Sequence, residues 1–175
     1  MATHKPEVWQ RGPINGINTY LQPVAHALLQ ASEEVVCTMA HFNDSNLWLK
    51  PVGMASVGFH LQHLQGVLQR LFTYANGQQL TLKQLANLNK EGVEDNNLNS
   101  QALTFNFTNQ VAAAIEQLRN TNENDLLAPR ALGRAQIPTN VLGLYVHAAE
   151  HTMRHLGQLI VTVIVVSNNT GVVVI

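Results

Sequence analysis

The sequence predicts an all-α fold, an antiparallel four-helix bundle. Four stretches of the 175-residue chain repeat apolar side chains at three- and four-residue spacing, the period of a helix that buries one face. Only the end of the last stretch is compatible with a strand, and nothing else in the chain offers it a sheet. The breaks between stretches are long and clear, which suits long helices joined around one core. No internal repeat or linker divides the chain, so residues 1–175 are expected to form a single domain.

The first stretch, about 14–39, sets Leu21, Val24, Ala25, Leu28, Leu29 and Val35 at helical spacing. Pro23 marks either its true first turn or a kink. The second, about 56–75, starts at Ser56, a candidate cap, and closes at Asn76-Gly77, a C-terminal stop. The third is about 100–118, with "FTNQVAAAIEQLRN" as its clearest part. The fourth, about 139–166, follows Pro138, with Thr139 or Asn140 as candidate N-cap. Its end, "LIVTVIVV", is rich in β-branched residues of poor helix propensity, so fraying is expected over 161–166. The connections 41–55, 76–97 and 121–138 read as loops.

Apolar residues make up 46% of the chain and charged residues 12%, with a net charge of −1 and no basic stripe. That balance argues against nucleic acid and anionic membranes as partners. The longest apolar run is far short of the ~20 residues that span a bilayer. One cysteine, Cys37, cannot form an internal disulfide, and the start "MATHKPEVWQRG" has no signal-peptide hydrophobic region, so a soluble cytoplasmic protein is expected. The low charge and the apolar end "GVVVI" leave surface wanting cover, which points to a homodimer.

Histidine is where the chemistry concentrates. Of eight histidines, five fall in two of the helical stretches: His60 and His63 in the second, and His147, His151 and His155 in the fourth. With about 3.6 residues per turn, each set projects from one helical face. Bundles build metal sites from side chains on facing helices. Two imidazoles from one helix and a third from its neighbour make a three-ligand face that leaves positions open for water or substrate, the pattern of a catalytic rather than a structural site. Neutral imidazoles leave the ion its full charge, which acidifies a bound water or thiol, and they suit Zn, Ni or Fe more than Mg or Ca.

"HAAEHTMRHLGQL" resembles the last-helix signature of the DinB-like proteins, also called the YfiT-like metal-dependent hydrolases. In that pattern a histidine is followed after three residues by a second histidine, then by a small residue and glutamine; here these are His151, His155, Gly157 and Gln158. "SVGFHLQHLQG" resembles the second-helix signature, whose single metal-binding histidine falls on His63. "LWLKPVGMAS" is similar to the loop before it, and the likeness covers nearly the whole chain. Leu156 departs from the pattern, where arginine is common. The resemblance implies a four-helix bundle in which His63, His151 and His155 hold a divalent metal ion (Zn, Ni, Fe or Mn). It also implies the activity of a hydrolase, or of a thiol transferase using a low-molecular-weight thiol, on a small-molecule substrate.

Other residues carry weaker readings. His147 and His60 are expected to be buried histidines bonded to carbonyls, with a place in the pocket as the alternative. Glu150 and Arg154 form an i, i+4 surface pair worth about 0.3–0.5 kcal/mol. Metal-bound histidines usually donate their second N–H to a carboxylate or carbonyl; Glu33 or Glu34 could serve, although a solvated face is the expectation. Trp9 and Trp48 read as packing residues at the bundle ends, and Cys37 as a small buried apolar residue. No acid or base for catalysis is identified. Three functions compete: a metal-dependent enzyme, a metal- or ligand-binding bundle without turnover, and a structural bundle whose histidines only pack. A metal assay separates the last from the others, and turnover separates the first two.

Overall fold

The computed structural model describes residues 5–168. Five helices follow in order: α1 (Gln22–Met39), α2 (Val57–Ala75), α3 (Leu82–Leu88), α4 (Ser100–Arg119) and α5 (Val141–Asn168), with a hairpin of β1 (Pro129–Leu132) and β2 (Ile137–Asn140) before α5. The four long helices are those expected from periodicity. Each predicted start is set by a local device. Pro23 lies in the first turn of α1, where its missing N–H costs nothing. The Ser56 hydroxyl accepts from the Phe59 N–H at the start of α2, and the Asn140 side chain accepts from the Gly143 N–H at the start of α5.

The bundle consists of two antiparallel pairs, α1 with α4 and α2 with α5. Arg119, at the end of α4, reaches the Asn15 carbonyl ahead of α1, whereas the Ser100 N–H at its start donates to Asp44, beyond the end of α1. α2 and α4 run in the same direction, since Gln117 late in α4 donates to the Phe72 carbonyl late in α2. The connection from α2 to α4 must therefore return along the whole length of the bundle, which accounts for its length. α3 forms on this return, capped by Thr81 and Gln84 in a reciprocal capping box.

Leu21, Val24, Ala25, Leu28 and Val35 of the first stretch are buried, and Leu29 is partly buried; they join Leu61, Leu64, Leu68, Phe107, Ile115, Tyr145 and Leu159 in one core. Besides α3 in the second connection and the start of α1 at Gln22 instead of near residue 14, two features differ from the expectation. The third connection holds the hairpin, closed by a four-residue turn with Gly133 and Gln136 at positive φ. The β-branched end of α5 stays helical through Asn168, with Thr162 and Val166 buried against the bundle. Among the described residues no helix is long and apolar enough to cross a membrane. The apolar end "GVVVI" lies outside the described residues.

Candidate metal centre

α2 and α5 pack against each other along their length, and their histidine faces meet. His60 and His63 occupy the first two turns of α2; His151 and His155 occupy the middle of α5. The antiparallel crossing sets His63 opposite both His151 and His155. The His63 and His151 Nε2 atoms lie 3.0 Å apart, and the His63 ring centre is 4.3 Å from that of His155. His63, His151 and His155 each offer one ring nitrogen, and the three nitrogens fall within 4.8 Å of one another. His151 Nδ1 is buried and has no hydrogen-bond partner. Three converging imidazole nitrogen donors, with no carboxylate among them, fit a transition-metal ion and could hold one.

Electrostatics agree with neutral rings. Burial, reinforced by the His63 ring, pushes His60 down to about 4. Burial also pushes His155 down to about 4, assisted by His63, His151 and His60. His151 is lowered for the same reasons, burial first and then His63 and His147. A site of this kind disfavours protons and is ready for a cation that needs the lone pairs.

The surroundings of the rings correct several expectations. The carboxylate beside the cluster is Glu91, on the return segment between α3 and α4; its Oε2 lies 2.7 Å from His63 Nδ1 and its other oxygen accepts from Arg70. Burial opposes the charge on Glu91, yet the hydrogen bonds from His63 and Arg70 hold its carboxyl below the ordinary range. Glu33 is instead engaged by Arg11 and Lys5 on the far face of α1, and the Arg11 bond holds it at about 2; Glu34 accepts from Gln30. His60 is buried as expected, but its neighbour is a ring rather than a carbonyl: its Nδ1 stands 3.4 Å from His155 Nδ1. His147 is exposed and faces Glu150, with Nδ1 to Oε2 at 3.6 Å. Glu150 and Arg154 form the expected surface pair.

Trp48 packs against Gly58 at the start of α2, whereas Trp9 is 61% exposed and donates its indole N–H to Glu7. Cys37 is exposed rather than buried. Glu91 lies outside any periodic segment, so periodicity could not find it. One signal in the sequence pointed to its neighbourhood: Gly66, a glycine inside a helix three residues after His63.

Phe59 stacks on His63 at 5.2 Å between ring centres. Beside Phe59 and His60 opens a cavity of about 710 Å³, walled by Met54, Val161 and Val165 and edged by Arg154. A volume of that order accommodates a small organic molecule.

No curated protein matches the chain in sequence. Residues 2–159, which include every histidine of the cluster, match the family model of the DinB superfamily. With a match over most of its length, a helical bundle fold and three histidines converging from α2 and α5, the chain belongs to the DinB superfamily.

Proposed function

We propose that the protein is a metal-dependent enzyme in which His63, His151 and His155 hold one divalent ion, Zn, Ni, Fe or Mn. The observation that carries this reading is the convergence of three ring nitrogens from two helices within 4.8 Å. When bound, such an ion supplies a positive charge that acidifies water or a low-molecular-weight thiol for attack on a small electrophile. The chain's own residues supply the remainder. Burial favours the neutral form of His151 and His155, and Glu91 accepts from His63 on the side away from the cluster, so that His63 Nε2 stays available. The apolar cavity beside Phe59 gives the substrate a place out of water, and Arg154, paired with Glu150, stands at its edge.

The test is elemental analysis of protein purified without a metal-affinity tag, followed by turnover with a thiol and an electrophile and with a panel of amides and esters. Stoichiometric metal, together with turnover that disappears on chelation and returns on reconstitution, supports the reading. Metal without turnover favours a binding protein, and absence of metal removes both.

We further propose a two-fold homodimer. Besides the low charge of the chain, the exposed side chains of Val161, Ile164 and Val165 give α5 an apolar outer surface that a second subunit would cover.

A further inference from the structure

Within the return segment, residues 84–92 run antiparallel alongside α2 and are fastened to it at successive levels. The Gln84 side chain donates to the Thr73 hydroxyl, the Glu91 carboxylate bridges Arg70 and His63, and the Gly92 N–H donates to the Gln62 side chain at 2.7 Å. Gly92, at φ 78, lets the chain pass close to Phe59, the ring that stacks on His63. The Glu91 and Arg70 side chains are 8% and 10% exposed, so their pair is largely removed from water. The space they occupy exists because residue 66 has no side chain. A Cβ there would stand 2.3 Å from Glu91 Oε1 and 2.6 Å from Arg70 Nη1. Glycine inside a helix is less favourable than alanine, and here the close approach of the ion pair accounts for it.

We propose that Glu91, seated by Arg70 against Gly66, is the positioning residue for His63: it holds the proton on Nδ1 and turns the Nε2 lone pair toward His151 and His155. A carboxylate accepts only, so the nitrogen facing it must carry the hydrogen, and a neutral imidazole then has its lone pair on the other nitrogen. Arg70 removes the freedom of Glu91 to turn away. As a statement about metal binding the proposal rests on the three-histidine reading; as a statement about the tautomer of His63 it does not.

The experiment uses the full chain freed of metal. Nitrogen-15 NMR of the histidine rings reports which nitrogen of His63 is protonated, and calorimetric titration with Zn reports affinity. In the parent protein the Nδ1–H form of His63 is expected. In Glu91→Gln the amide oxygen is drawn to Arg70 and the NH2 group turns to His63, so the Nε2–H form should dominate and Zn affinity should fall about 10- to 100-fold. Gly66→Ala keeps or improves helix propensity while displacing the carboxylate. Because it also disturbs a largely buried ion pair, it should lower the melting temperature of the metal-free protein while leaving it folded, and it should mix the tautomers and weaken Zn binding. His63→Ala serves as the reference for loss of a ligand. If both Glu91→Gln and Gly66→Ala retain the Nδ1–H form and the parent affinity, the proposal is overturned. If the parent binds no Zn, the three-histidine reading fails, and the tautomer measurement still decides the role of Glu91.

Discussion

Gly58 and Gly66, two turns apart on α2, show how differently one missing methyl group can act. A Cβ on Gly66 meets the far ends of two side chains that can move, whereas a Cβ on Gly58 would stand 2.4 Å from Cζ3 of Trp48, an indole wedged between the loop and the helix. Gly58→Ala is therefore expected to destabilise the fold by about 1–3 kcal/mol through overpacking, read from urea unfolding. An unchanged midpoint would show that Trp48 can leave its place at no cost. The histidines divide in a comparable way. His63→Ala, His151→Ala and His155→Ala should each abolish stoichiometric metal, whereas His147→Ala, on an exposed ring facing Glu150, should leave metal content unchanged. Full metal occupancy in His63→Ala would refute the ligand set and turn attention to His60. Helical spacing put the five histidines on two helix faces, and the resemblance to the DinB-like signatures singled out His63, His151 and His155, whose rings converge in the fold. The partners of the rings were not legible. Glu91 arrives from a segment whose course depends on the direction of α4, and the pairing of His60 with His155 depends on the crossing of two helices.

At the scale of the element, local chemistry sets the ends and tertiary packing decides the rest. Ser56 is fully buried, and its hydroxyl meets the Phe59 N–H at 3.1 Å. Ser56→Ala should cost about 1 kcal/mol, toward 2 if the freed N–H stays dry, and the loss should appear as a lower melting temperature without a change in helix content. Ser56→Gly, with little penalty beyond a few tenths, is the control; an equal loss in both would place the effect in packing instead of capping. The four long helices could be read from the chain because each buries one face over several turns. α3 has only seven residues, too short for a periodic signal, although the Thr81–Gln84 capping box was present as a local sign. The hairpin was hidden by four-residue strands and by Pro138, which normally argues against a strand; it is tolerated in this two-stranded ribbon, opposite Ala131. The end of α5 shows the reverse case. Its β-branched residues predict fraying, and burial of Leu159, Thr162 and Val166 overrides propensity.

For the molecule as a whole, the bundle and the centre contribute stability separately. Sedimentation should give the mass of a dimer at micromolar concentration, and a monomer at high concentration would remove the proposed pairing of α5 surfaces. The dependence on pH and metal follows from the depressed imidazoles. An ordinary imidazole takes up its proton near 6.5; in the folded chain His60 and His155 resist protonation until about 4. The unfolded chain therefore binds more protons between these values, and unfolding becomes more favourable as pH falls through that window. Stability from the neutral rings is complete above about 6.5, declines as pH falls toward 4, and makes no further contribution below it. A bound divalent ion acts in the same direction, since it also requires neutral rings and binds only the folded chain. A chelator should consequently lower the melting temperature at pH 8 and have little effect at pH 4, where protons have already displaced the ion. The chelated protein should still fold at pH 8, because the core spans all four long helices and the three candidate ligands join only α2 to α5. Thermal melts of native, chelated and Zn-reconstituted samples at pH 8, 6 and 4 measure all of this. Identical melting curves at pH 8 with the metal demonstrably removed would defeat the linkage between centre and fold. A chelator effect as large at pH 4 as at pH 8 would show that the ion is held by groups other than imidazoles.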